Sequence, residues 1–437
     1  MGHVARMTLT ATFGLTFMFL VDAANLFWVS RLGQEGLVAA LGFAWTVQFF
    51  TISSGIGLMI AATAMVSKFI GQGRRDEARR ATTISATASV AVQIVMAVLI
   101  LLFRHDILAL AGAKGQTAVD AARYLLISVP SLPLMALGMV GAAVLRAEGD
   151  AYRAMWVTMS SGIISMFIDP FLIIWAGLGL DGAAIAVVFA RVFSAGLSVF
   201  FVMRVHDLAG KITFADLQRL VVPFLFIAFP AVLTQLSTPF GNYLLTAVIA
   251  GFGDGAVAGW AVVTRLTILA FGGIFALSGA VGGIIGQNYG AKIMARVKRT
   301  YIDALIFCFC YTMVAWAVLA FFSETAVTAF GLGEDGAVVV RAFTQLAAGG
   351  FVFAGALFVA NSAFNNLGRP LYSTLFNWAR DGVIIFPVAL WMSAIFAAPG
   401  VIYGQALAGV LVGTVACTAG WIFVHRLALR IRSEDAV

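Results

Sequence analysis

Two aspartates stand inside apolar runs, Asp22 in "FLVDAANLFWVSRLG" and Asp169 in "SGIISMFIDP". Asn25 follows Asp22 by three residues and shares its helical face, and Ser161 and Ser165 lead to Asp169 at four-residue steps. Pro170 has no N–H and leaves the Met166 carbonyl without its helical partner. Carboxylates, hydroxyls, an amide and a free carbonyl are the groups that hold a proton or a hard cation such as sodium. Four more charges lie in such runs: Arg191, Arg265, Arg380 and Asp381. A charge at the centre of a membrane helix costs at least about 2.5 to 3.5 kcal/mol, and such residues mark ion pathways or ion pairs. The preferred reading makes Asp22, Asp169, Asn25, Ser165 and Ser161 a cation site. The plainer alternative pairs each aspartate with an arginine, Arg191 being the obvious partner. Arg191, Arg265, Arg380 and Asp381 read as structural or cavity-lining charges. Among them an Arg265 to Asp381 bridge is preferred over a basic lining that would draw an anionic group.

The elements that must position these residues are membrane helices. The chain has 437 residues, 62% apolar and 11% charged, against roughly a quarter charged in soluble domains. Stretches of about 20 apolar residues, enough to cross a bilayer, run almost end to end between short polar turns. The fold class is therefore an all-α polytopic membrane protein. Twelve helices are expected, near 7–30, 36–67, 81–103, 120–145, 154–176, 181–204, 219–250, 255–286, 300–322, 336–363, 371–397 and 400–425. The first resembles a signal peptide, but no A-x-A site stands beside Ala24 and the apolar run resumes past Asp22, so it is read as a span. Cys308, Cys310 and Cys417 all sit in apolar runs and read as small apolar filler, implying neither a disulfide nor a metal.

Orientation follows from charge. The turns after even-numbered helices, with both termini, hold nineteen Lys and Arg; the opposite turns hold five, Arg31, Arg104, Lys114, Arg123 and Arg341. This positive-inside bias places both termini in the cytoplasm and accounts for the net charge of +7. With both helices running outward, Asp22 and Asp169 are expected at one depth, toward the outer leaflet, facing each other. The basic residues are spread over many turns, which argues against nucleic acid as a partner.

Sliding the chain against itself by 219 residues brings its punctuation into register: Gly36 on Gly255, Gly71 on Gly290, Arg79-Arg80 on Lys298-Arg299, Gly149 on Gly368. Six helices per half make the repeat parallel, related by an axis along the membrane normal, which is the layout of an alternating-access transporter. The expected division is an N-terminal lobe over 1–204, a cytoplasmic linker over 205–218 and a C-terminal lobe over 219–437. The offset sets Asp22 on Gly241 and Asp169 on Val388, so the carboxylate site belongs to one half only. No G-x-x-x-x-G-K-[ST] occurs, so an ion gradient, not ATP, is the expected energy source. No cofactor is expected beyond a coupling H+ or Na+. The four histidines lie at span ends or in turns, which with the lack of a nucleophile cluster argues against an enzyme.

"VDAANLFWVSRLG", "IGQGRRDEARR", "LRAEGDAYRAM", "IDPFLIIWAGLGLDGAAIA" and "IIGQNYGA" together resemble the multidrug and toxic compound extrusion (MATE) family across nearly the whole chain. The resemblance implies twelve helices in two six-helix lobes and cation-driven export of amphipathic, often cationic, organic compounds. Carboxylates on the first and fifth helices look like the DinF-like branch, and the resemblance gives Asp22 and Asp169 the coupling role. There are departures. Ser165 stands where relatives carry an Asn, Val187 where they carry a Thr, and the first helix lacks a proline, leaving only Gly14 as a soft point. Losing an amide and a hydroxyl makes a sodium cage harder to complete, so protons are the preferred ion. The acidic residues of the NorM-like C-lobe are replaced by Gln235, Asn242, Gln345 and Asn361. The partners expected are a small-molecule substrate, a coupling cation and the bilayer of the cell membrane, with the protein a monomer. Two rivals are kept: a flippase or exporter of anionic lipid-linked or organic-acid substrates, motivated by Arg191, Arg265 and Arg380, and a major facilitator transporter. The second fails on spacing, since Asp76 falls five positions after Gly71 and Ala78 stands where its signature turn needs glycine.

Overall fold

In the computed structural model, which describes residues 2–30 and 35–434 and gives backbone only at 15, 19, 22, 23, 26, 30, 35 and 434, the described chain is built of helices. The first helix runs Gly2–Ser30 and the second Glu35–Gly71. They are followed by Arg75–Leu110, Gly115–Glu148, Ala151–Trp175, Gly179–Val205, Phe214–Ala250, Asp254–Gly290 and Met294–Phe321. The tenth helix, Ala347–Asn366, is preceded by two short ones, Ser323–Ala329 and Glu334–Gln345. Pro370–Phe396 and Ala398–Glu434 complete the set. Eleven of these are long and apolar enough to cross a bilayer among the described residues. The twelfth expected span is the first helix. Most helices overrun their expected apolar core by a few residues, because the polar residues of the turns continue the helical hydrogen bonding past the hydrocarbon. The helix expected over 336–363 is instead broken at Leu346 (φ −130°, ψ −60°) into Glu334–Gln345 and Ala347–Asn366. At 1.5 Å per residue the 37-residue helices are about 55 Å long, well beyond a roughly 30 Å core.

Two compact units result, one of Phe13–Val232 and one of Met1–Thr12 with Leu233–Val437. The first and seventh helices therefore each contribute to both. In the first unit a buried cluster of mostly small residues, among them Ala61, Ala62, Ala78, Ala143 and Ala147, lets the second, third and fourth helices approach closely. The second and eighth helices are the most buried spans of their units and the third and ninth the least.

The internal repeat is written in the backbone. Gly73 and Lys292, Gly112 and Gly331, and Gly149 and Gly368 all take positive φ, at +70 and +58°, +94 and +61°, and +94 and +87°. The hydrogen bonds repeat with them: Asp150 N–H donates to Leu145 O at 2.9 Å, and Arg369 N–H to Phe364 O at 2.8 Å. Such left-handed residues close helix C-termini by satisfying their last carbonyls. Even the kink in the third helix at Phe103 (φ −102°, ψ 15°) has its match at Phe322 (φ −92°, ψ 15°). Each pair is 219 residues apart.

The segment over 205–218 is held in place by charge. Arg79 Nη2 lies 2.8 Å from Asp207 Oδ1 and Arg80 Nη1 3.3 Å from Asp216 Oδ1. Thr83 donates its hydroxyl to Gly210 O at 2.9 Å.

Candidate functional site

Asp169 sits near the C-terminal end of the helical run Ala151–Pro170, on the stripe begun by Ser161 and Ser165. It is 1% exposed, which makes its carboxylate one of the most buried charges of the chain. Pro170 follows, and the backbone passes into a π-helical turn over Phe171–Trp175, a distortion common at functional sites. From the first helix, Asn25 Nδ2 donates to Asp169 Oδ2 at 3.0 Å. The other oxygen, Oδ1, has no hydrogen-bond partner among the described residues. Asp22 lies one helical turn before Asn25, in the same helix; its side chain is outside the described residues. Ser165 is buried beside Asp169 on the fifth helix. Ser161 turns its hydroxyl to Thr158 O at 2.9 Å and lies 3.4 Å from Met18 Sδ of the first helix. Gly162 makes this approach possible, since a Cβ there would stand 2.9 Å from Phe17 Cε1 and 3.0 Å from Val21 Cγ2.

Arg191 is not the partner of Asp169. Its guanidinium donates to Gln48 Oε1 at 2.7 Å, Ser131 Oγ at 2.9 Å and Ser128 O at 3.0 Å, all neutral acceptors. Gln48 in turn donates to Ser128 Oγ at 3.1 Å. A buried cation is thus satisfied by hydrogen bonds that sequence had no means of singling out, because serines and glutamine at these positions carry no pairing signal.

The expected bridge from Arg265 to Asp381 is likewise replaced. Asp381 is taken by its neighbour: Arg380 Nε reaches Oδ1 at 2.7 Å and Arg380 Nη2 reaches Oδ2 at 2.8 Å. Ser237 of the seventh helix adds a hydrogen bond to Oδ2 at 3.0 Å, and Gly241 leaves room for the carboxylate, a Cβ there standing 2.9 Å from Asp381 Cβ. Gly241 is the repeat counterpart of Asp22. Where one half carries an acid on its first helix, the other carries a space filled by an acid with its own arginine. Arg265 is exposed. A further polar cluster, missed in the sequence apart from Asn361, joins the tenth and eleventh helices: Asn377 Nδ2 donates to Asn361 Oδ1 and Ser373 Oγ to Asn365 Oδ1, both at 3.0 Å. Among the described residues no group of three His, Cys, Asp or Glu side chains is gathered as a metal site would need.

The arrangement in the Phe13–Val232 unit is a buried carboxylate with one amide donor on Oδ2 and, among the described residues, no hydrogen-bond partner on Oδ1, suited to taking up and releasing a small cation. Comparison with known proteins bears on the family and the fold. The MatE family model matches the chain twice, over residues 11–171 and 230–391, and the two matches begin 219 residues apart. A Shewanella oneidensis protein named as an FAD transporter is 26% identical over 419 residues, covering 94% of this chain and 92% of its own. The multidrug export protein MepA of Staphylococcus aureus is 24% identical over 428 residues, covering 95% and 92%. Among solved structures, a point mutant of the Vibrio cholerae MATE transporter VcmN superposes with a TM-score of 0.91 at 23% identity, over 98% of this chain and 97% of that one, a likeness of fold.

Proposed function

The chain belongs to the MatE family, the multidrug and toxic compound extrusion transporters, and from that premise we propose that it exports amphipathic organic compounds by antiport with protons carried at Asp169 and Asp22. It is a multi-pass membrane transporter and not an enzyme. The observation that carries the coupling assignment is the environment of Asp169: a buried carboxylate with an amide donor and no cation paired to it among the described residues. A carboxylate tied to an arginine could not exchange its cation; this one can. Protons are preferred over sodium because Ser165 and Val187 leave few oxygens to build a cage. With both termini in the cytoplasm, lobes 1–204 and 219–437 expose the site to each side in turn as a monomer. The relatives are named for multidrug export and for FAD transport. Both names point to organic compounds as cargo, and that much is carried over. Cationic compounds among the substrates are the expectation from the resemblance to the MATE family.

The test is reconstitution in proteoliposomes with dye efflux driven by an imposed proton gradient or, separately, a sodium gradient, for wild type, Asp22→Asn and Asp169→Asn. Proton-driven efflux lost in both variants is expected. Undiminished efflux in both would sink the coupling assignment, and efflux driven by sodium alone would overturn the choice of ion.

A further inference from the structure

Arg265 lies eleven residues after the start of the eighth helix at Asp254, about 16 Å along it at 1.5 Å per residue. The other arginines inside the spans are spent: Arg191 on Gln48, Ser128 and Ser131, and Arg380 on Asp381. Arg265 has no acidic partner among the described residues, and its side chain is exposed.

The face it occupies is not built for lipid. Asp254, Ala258, Ala261, Arg265 and Leu269 are all exposed and fall on one stripe at three- and four-residue steps. In the same unit the ninth helix shows what a lipid face looks like: its exposed residues include Ile302, Ile306, Phe309, Val314 and Val318. Apart from Leu269 at its inner end, the stripe is two alanines, an aspartate and an arginine, which expose little apolar area for acyl chains to cover. They suit a water-accessible wall that a solute can reach. The backbone under Arg265 is fixed, since the indole of Trp260, one turn earlier and buried, donates to Thr246 Oγ1 of the seventh helix at 2.9 Å. Thr264, next to Arg265, ties its hydroxyl back to Trp260 O at 3.0 Å.

We infer that Arg265 is the recognition point for a negatively charged group on the transported compound, so that the substrates include organic anions with an apolar body and a carboxylate or phosphate. A guanidinium offers parallel N–H donors that match both groups two at a time. Its positive charge selects anions over cations of the same shape. The inference rests on the reading of the chain as an exporter of organic compounds and names the chemistry of its substrate. The same chemistry is found on a free solute and on an anionic lipid headgroup.

The experiment is an equilibrium titration of the purified full chain in phosphatidylcholine nanodiscs, read by fluorescence anisotropy. Carboxyfluorescein and rhodamine 6G share a three-ring body and carry opposite charge. Wild type is expected to bind carboxyfluorescein, Arg265→Gln to bind it at least tenfold more weakly, and Arg265→Lys to fall between. Rhodamine 6G affinity should not weaken in Arg265→Gln. Because Arg265 is exposed, both variants are expected to keep the wild-type melting temperature, and the Lys variant separates charge from side-chain volume. Carboxyfluorescein bound equally by wild type and Arg265→Gln, or not bound by wild type, overturns the inference. Repeating the titration with phosphatidylglycerol in the disc assigns the source: competition that vanishes in Arg265→Gln supports a lipid headgroup at the site, and no competition supports a free solute. No gradient enters the titration, so a failure of proton coupling and a failure of anion recognition are read separately.

Discussion

Asn25 and Asp169, 144 residues apart, meet at 3.0 Å and join the first helix to the fifth through one amide and one carboxylate. The bond gives a neutral anchor to a buried charge. Replacing Asn25 with Ala should leave the protein folded and slow gradient-driven efflux about tenfold or more. A hydrogen bond to a charged group is worth about 1.5 to 3 kcal/mol. Transport assays at fixed gradient check this, and an unchanged rate would show that the amide plays no part in the cycle.

Gly162 controls the same junction by its size. A Cβ at 2.9 Å from Phe17 must push the first helix or the ring aside, and overpacking of this kind costs about 1 to 3 kcal/mol. Gly162→Ala should lower the melting temperature slightly and Gly162→Leu strongly, with efflux falling in the same order. Thermal unfolding in detergent, followed by tryptophan fluorescence, measures it.

Arg380 and Asp381 should behave as a unit. Arg380→Met alone strands a buried carboxylate and is expected to cost about 3 to 5 kcal/mol, whereas adding Asp381→Asn should recover most of that loss. A double-mutant cycle on melting temperature gives the coupling. Additive losses would mean that the two side chains do not depend on each other.

Lys292 takes the left-handed conformation that its repeat counterpart Gly73 takes without a Cβ. A non-glycine residue there costs about 1 to 2 kcal/mol. Lys292→Gly should therefore raise the melting temperature, and Gly73→Ala should lower it, both with transport unaffected. If Lys292→Gly proves destabilising, the lysine side chain contributes more than the backbone strain removes.

Asp150 caps the fifth helix, accepting the Arg153 N–H at 3.0 Å and meeting the His206 ring, also at 3.0 Å. Burial acts to raise its carboxyl, but the Arg153 backbone and side chain and the His206 contact outweigh it and hold it below the usual 3.8. The folded value lies below the unfolded one, so the stabilisation is present above the ordinary carboxylate range and disappears as pH falls through the folded value. Asp150→Ala should cost about 1 kcal/mol. The gap in melting temperature from wild type should stay constant from about pH 8 to 5 and close at still lower pH.

Most of the helices and the repeat were legible because apolar runs and turn residues state them directly. Gly149 and Gly368, for example, stand where the chain must turn left-handed. The meeting of the first and fifth helices was also legible, from Asp22, Asn25 and Asp169 at matched positions in their runs. The pairing of Asp381 was not. In a regular α-helix adjacent residues point apart, which made the distant Arg265 look the better partner. The chain enters a π-helical turn over Ala379–Ile384 instead, and the altered winding lets Arg380 fold onto its neighbour. The partners of Arg191 were not legible either, because Gln48, Ser128 and Ser131 supply oxygen and no charge. A neutral shell is assembled by folding and has no spacing of its own.

The bidentate Arg380–Asp381 pair also has an electrical meaning. A net charge moved through the membrane field does work of about 2.3 kcal/mol per 100 mV, while a closed pair carries none. The resting voltage therefore cannot pull on the eleventh helix through these two residues, however far they travel. Under the roles proposed above, it acts on Asp169 when its carboxylate carries no proton, and on Arg265 until an anion covers it. The voltage dependence of the current is then set by what is bound, with a loaded cycle and an unloaded one carrying different charge.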